Sequence, residues 1–265
     1  MSMRSNSVQN NKNLLFSWLE GLSLLAWGIL LSKYSFTGQY KLLIHPNYFS
    51  LVLGSGIVLL VLGIVKVKSI LSNRQLSKSE HISLFPPGLG NSLLLIVAIA
   101  GLLIPPKVLT SQTAIKRGVG DLPLTTIQPQ AFHTASKPEE RSLIEWIRAI
   151  NAYPEPDAYS GQTANITGFV LHLSELPDNY IMLSRFVITC CAVDAYPIGI
   201  PVKLDTSRSN YPVDSWLTVE GIAIAETLPV KDRIETNTIT QKRSVAIEAK
   251  AIETIPTPAD PYSYR

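Results

Sequence analysis

Both cysteines of the chain, Cys190 and Cys191, stand side by side. They sit inside the stretch Arg185-Phe186-Val187-Ile188-Thr189-Cys190-Cys191-Ala192-Val193-Asp194-Ala195-Tyr196-Pro197-Ile198-Gly199. Two thiols with a carboxylate three residues on can do one of three things. They can hold a soft or borderline transition metal such as zinc, because thiolate sulfur and carboxylate oxygen both ligate it. They can exchange disulfides, although there is no C-x-x-C spacing. Or they can simply pack, since a cysteine behaves as a small hydrophobe. For a metal, the ligands on offer are Cys190, Cys191, Asp194 and His172. His133 is the other histidine of the second half. The absent two-residue spacer points to a transient site rather than a closed structural one. If the strand runs through both cysteines, their side chains face opposite ways, which disfavours a shared task. Arg185 and Asp194 form a natural ion pair to fix the loop. With the two cysteines, Tyr196 and Trp216 they complete the candidate binding residues, although both aromatics also read as core or rim. No Ser–His–Asp order, phosphate-binding glycine loop or H-E-x-x-H occurs, so no catalytic residues and no enzyme activity are expected.

The elements that must carry this turn are mostly strands. Ala164–Leu173, Tyr180–Cys191, Gly199–Leu204, Trp216–Glu226 and Ser244–Ile255 have β-branched, apolar runs bounded by turn residues. Five strands in this spacing predict an OB-like five-stranded barrel. Gly168 and Gly221 fall where a curved strand needs a missing side chain. A helix over Pro138–Ile150 precedes them, opened by the S-x-x-E spacing of Ser136 and Glu139. The soluble domain therefore spans 136–265, with its Pro-rich end, 256–261, extended on the surface. Residues 111–135 read as a linker rich in Pro, Thr, Ser and Gln.

The first 110 residues are of another kind. Apolar runs at 14–31, 49–65 and 89–104 predict about three transmembrane helices. The third is the shortest, stopped by Pro105-Pro106. None reads as a cleaved signal peptide. Charge divides with them: residues 1–106 hold eight Lys/Arg against two acids, and residues 107–265 hold fifteen against eighteen. An acidic soluble half excludes a nucleic-acid surface. The basic residues instead orient the chain in a bilayer. The dense cluster Lys66, Lys68, Arg74 and Lys78, together with the N-terminal Arg4 and Lys12, predicts a cytoplasmic N-terminus and an extracytoplasmic C-terminal domain. Glu20, within the first run, is either an intramembrane functional carboxylate or a residue near the headgroups. Small residues Gly54, Ser55, Gly56 and Gly63 suit close helix packing.

The chain resembles a family of uncharacterised bacterial membrane proteins, YcgQ-like, described as permease subunits. The residues that carry this are Arg185-Phe186, Cys190-Cys191, Asp194-Ala195, Pro197-Ile198-Gly199, Asp214-x-Trp216, Val219-Glu220-Gly221 and Pro261-Tyr262-x-Tyr264. Tyr40 and His45-Pro46 also match. Val193 departs from the small residue expected there. The resemblance implies a multi-span predicted permease as partner, in the bacterial plasma membrane, and a link to metal handling. The expectation is an accessory subunit of a membrane transport complex whose outer β domain binds a ligand or partner. A membrane-tethered thiol-redox protein and a structural scaffold are the alternatives.

Overall fold

A computed structural model of the chain describes residues 2–72, 88–119, 137–231 and 239–264. The chain divides into two compact units, Met1–Lys107 and Val108–Arg265. Ser136, His133, Arg74 and Lys78, used in the sequence reading, lie outside the described residues.

The first unit is helical. α1 spans Ser2–Thr37, α2 Phe49–Leu71 and α3 Leu89–Leu103. Two stretches, Leu14–Thr37 and Pro46–Leu71, are long and apolar enough to cross a membrane. Two helices rather than three meet that length, because α3 has 15 residues. It starts from Gly88 in the left-handed region, φ 86°, and stops at Ile104, which is extended because a proline follows.

Glycines set how closely α1 and α2 approach. A Cβ on Gly28 would lie 2.8 Å from Leu60, and one on Gly63 would lie 2.7 Å from Leu25. This pairing runs antiparallel. Glu20 and Lys66 form an ion pair of 2.8 Å between the two helices. α3 runs parallel to α1 instead. Trp27 Nε1 donates to the Leu94 carbonyl (3.0 Å), Tyr34 Oη to that of Gly101 (2.7 Å) and Lys33 Nζ to that of Leu102 (2.8 Å).

Among its described residues the second unit has a short helix, α4 (Ser111–Arg117), a longer one, α5 (Leu143–Ala152), and six strands. β1 is Thr163–Leu171, β2 Tyr180–Ile188, β3 Tyr196–Lys203, β4 Trp216–Lys231, β5 Ile239–Ile255 and β6 Tyr262–Tyr264. They form a mixed sheet in the order β1-β4-β5-β3-β2-β6, and β1 also pairs with β2. The pairings of the five long strands therefore return to their starting point. Curvature needs its glycines: a Cβ on Gly168 would sit 2.7 Å from the Ser184 carbonyl oxygen, and one on Gly221 would sit 2.3 Å from that of Glu248. The register also shifts at Glu220/Gly221.

One face of this sheet closes over a core that includes Ile166, Ile181, Leu183, Ile198, Ile200, Leu217 and Ile247. Leu143, Ile144, Trp146 and Ile147 of α5 belong to the same core. On the sheet's other face Phe169 stacks on Phe186 at 5.5 Å, and Trp216 and Tyr262 pack around them.

Three sequence expectations change. The long helix starts at Leu143, not Pro138, and Ser142 with Glu145 forms its capping box. Residues 138–140 make only a 3-10 turn. A second S-x-x-E lies there, directly before the apolar Leu143 and Ile144, and burial selects it. Next, part of the expected linker is structure: Ser111–Arg117 is a helix with Ser111 and Ala114 buried. Last, the Pro-rich tail is followed by β6, which lies parallel to β2.

Candidate functional site

β2 ends at Ile188, before the cysteines. One side chain ends it. Asp194 turns back and accepts hydrogen bonds from three consecutive backbone N–H groups: Thr189 (3.3 Å to Oδ1), Cys190 (2.8 Å to Oδ2) and Cys191 (3.3 Å to Oδ1). Those donors are lost to the strand ladder, and the Asp194 N–H closes the turn on the Cys191 carbonyl at 3.1 Å. Because Cys190 and Cys191 lie on a turn, the strand argument against cooperation falls away. Their Sγ atoms are 3.6 Å apart. The two sulfurs and a carboxylate oxygen of Asp194 all lie within 4.8 Å of one another. Cys190 is exposed and Cys191 half-buried, both as free thiols. Val193, at the tip, is 85% exposed.

Electrostatics follows from this packing. The Cys190 thiol is pushed up to about 12, first by its hydrogen bond with Asp194 and then by that with Cys191. Burial raises the Asp194 carboxyl. Hydrogen bonds from the Cys190 thiol and from the three backbone N–H groups outweigh it, so the net shift is downward. The Cys190 thiol is therefore protonated at neutral pH beside a charged carboxylate. That is a poor nucleophile, because the thiolate is the reactive form. A metal cation reverses the logic by displacing the proton and stabilising the thiolate.

The other expected site residues separate into two groups. Arg185 donates from Nη2 to the Asp260 carbonyl (2.7 Å) and lies 5.7 Å from the Trp216 ring. It thus anchors the chain just before β6. Trp216 is buried in the aromatic layer and offers no open contact surface. Tyr196 opens β3, pairs with Val187 and packs against the core. His172 is not brought to the cysteines. Leu171 pairs with Met182 near the opposite end of β2, so His172 lies about seven strand residues, roughly 23 Å at about 3.3 Å per residue, from the end of β2 that leads into the cysteines. Its Nε2 is 2.9 Å from the Tyr211 carbonyl. The ligand set brought together is Cys190, Cys191 and Asp194.

Two residues outside the expected set touch the turn or its surroundings. Arg117 donates from Nη1 to the carbonyls of Ala192 (3.3 Å) and Ala195. Asp214 takes Ser111 by both oxygens, from the backbone N–H (2.6 Å) and from Oγ (2.9 Å). Asp214 was visible in the Asp214-x-Trp216 pattern. Arg117 lay in the stretch 111–135 that composition alone assigns to a linker.

A chain that joins apolar helices of membrane-crossing length to a small mixed-sheet unit presenting two thiols and a carboxylate is the class defined so far. The chain belongs to the DUF1980 family: residues 19–120 match the DUF1980 N-terminal domain, and residues 137–265 match the DUF1980 C-terminal domain. No curated protein matches the chain. Residues 108–117 fall with the helices by sequence family and with the sheet by packing.

Proposed function

We propose that this protein is a membrane-anchored accessory subunit of a transport complex, and that its sheet unit passes a borderline metal ion such as zinc through Cys190, Cys191 and Asp194. The observation that carries this reading is the convergence of two thiol sulfurs and a carboxylate within 4.8 Å on an exposed turn. The spacing of the sulfurs adds the coordination geometry. With Zn–S bonds of about 2.3 Å, tetrahedral coordination separates two sulfurs by about 3.8 Å, and linear coordination by about 4.6 Å. The 3.6 Å found here suits the tetrahedral bite. Three protein ligands leave a fourth position open, which suits transfer rather than storage. A raised Cys190 pKa counts against thiol exchange, which needs an available thiolate.

The bilayer part of the proposal is supported by what the helices expose. Only 11% of the α2 window is buried, and Leu51, Ile57, Val58, Val61 and Leu62 face outward. α3 runs beside α1 in the same direction, which supports a third pass. Lys66 and Lys68 lie near the α2 C-terminus and favour the cytoplasm for that end. The YcgQ-like resemblance supplies the multi-span permease as partner. The ring of strand pairings, β1-β2-β3-β5-β4-β1, supports the OB-like barrel reading of the sheet.

The test is metal content of the full chain in detergent, wild type against Cys190→Ser/Cys191→Ser. The expected result is one zinc per chain, lost in the variant, with circular dichroism unchanged. Equal zinc in both proteins, or none in the wild type at micromolar free zinc, overturns the metal reading.

A further inference from the structure

The turn is held from outside as well as from within. Asp194 organises its backbone N–H groups, whereas the carbonyls of Ala192 and Ala195 point away and are taken by Arg117. Arg117 is the last residue of α4, and α4 belongs to a strap, Val108–Arg117, that opens the second unit. The strap is fixed at three places. The Leu109 N–H donates to Tyr262 Oη at 3.1 Å. Ser111 is clamped by Asp214, through both its backbone N–H and its hydroxyl. Arg117 grips the turn.

Each anchor is itself tied to the frame of the site. Tyr262 lies on β6, which pairs with β2, the strand that delivers the cysteines. Asp214 holds a positive φ of 67°, the one non-glycine residue to do so among those described. That backbone costs about 1 kcal/mol or more, and persists only where the surroundings fix it. Here its N–H is held by the Val170 carbonyl at 3.0 Å, and its carboxylate by Ser111.

We propose that Val108–Arg117 is the positioning element of the Cys190–Cys191–Asp194 turn, with Arg117 as the positioning residue that sets how fast a metal leaves it. The inference rests on the metal reading above. Ligands held by outer hydrogen bonds keep their geometry, and loss of such a partner typically weakens metal affinity 10–100-fold. Arg117 takes both carbonyls through one nitrogen, Nη1, at the end of a long side chain.

The experiment uses the full chain in detergent and four proteins: wild type, Arg117→Ala, Arg117→Lys and Lys116→Ala. Zinc release to excess chelator is timed, and maleimide labelling of the metal-free thiols is timed separately. Arg117→Ala should release zinc about 10-fold faster and label faster. Arg117→Lys should recover part of the loss, and Lys116→Ala, which removes a neighbouring charge only, should behave as wild type. Wild-type release by Arg117→Ala, or equal acceleration by Lys116→Ala, overturns the proposal. If the wild type binds no zinc, the metal reading fails by itself, and labelling still decides the role of Arg117: an unchanged rate in Arg117→Ala overturns it. Should Arg117→Ala not fold, Arg117→Gln takes its place in both measurements with the same expected and overturning results.

Discussion

The helical unit and the sheet unit use the same apolar residue types in opposite directions. Along α2 the buried residues are Gly56 and Gly63, while leucines, isoleucines and valines face outward. In the sheet unit Ile181, Leu183, Ile198, Ile200 and Ile247 are buried, and the exposed positions are largely polar. Small residues inside and large apolar ones outside is a solution for an apolar solvent, where close packing rather than water exclusion joins helices. Large apolar residues inside is the solution for water. The difference is what one chain built for two solvents would show, and each unit is tested by a substitution that would be harmless in the other's surroundings.

The largest effect should come from one charge placed in each. Ile247→Asp buries an unpaired carboxylate in the sheet core. It should cost more than about 4 kcal/mol and abolish cooperative unfolding of that unit. Val58→Asp puts the same group on the exposed face of α2, where Val58 is 56% accessible. On a watery surface the change would stay within about 0.5 kcal/mol. In hydrocarbon it should cost about 2.5–3.5 kcal/mol and reduce insertion, read as the fraction recovered in membranes. Full recovery of Val58→Asp breaks the comparison.

A second, smaller effect concerns the turn. The folded Asp194 carboxyl titrates below its ordinary value. Its contribution is therefore present above the unfolded pKa and lost as pH falls through the folded one, so the turn should loosen in acid. The folded Cys190 thiol titrates above its ordinary value, at about 12. Its contribution is present below the unfolded thiol pKa and lost as pH rises through about 12. In metal-free protein, alkylation of Cys190 should accordingly be slow at pH 8 and climb with pH well beyond an ordinary thiol. Asp194→Asn removes the largest cause of that shift. The thiol should then titrate lower, and its alkylation at pH 8 should be faster than in the wild type. An unchanged pH–rate profile shows that Asp194 does not govern the thiol.

Much of the fold was legible in sequence because its signals are local. The apolar runs placed α1 and α2, and alternation with turn residues placed all five long strands. Gly168 and Gly221 marked the close approaches. What local signals could not supply was the end of β2. Val187-Ile188-Thr189-Cys190-Cys191 continues to look like a strand until Asp194, five residues past Thr189, withdraws three donors from the ladder. The cysteine pair and Asp194 were legible as a candidate site, but their cooperation was not. His172 looked close only because adjacent strands were known without their register, and Leu171 against Met182 puts it at the wrong end. Arg117 was hidden for a different reason. Its partners are backbone carbonyls some 75 residues away, which carry no side-chain signature.

The smallest effect separates two ion pairs of similar geometry. Glu20 and Lys66 join α1 to α2 at 2.8 Å. In the sheet unit Glu226 accepts from Lys203 and from the Tyr180 hydroxyl. Both pairs are partly accessible, so each coupling should be no more than about 1 kcal/mol in a double-mutant cycle. Salt should tell them apart. Counter-ions reach a pair that faces water and screen it within about 10 Å at 0.1 M. The coupling from Glu226→Gln with Lys203→Gln should therefore shrink as salt is raised. A pair at the edge of a bilayer is shielded on its lipid side, and the coupling from Glu20→Gln with Lys66→Gln, measured in a bilayer, should change much less. Equal salt sensitivity would place both pairs in the same solvent, and the contrast between the two units would then rest on apolar exposure alone.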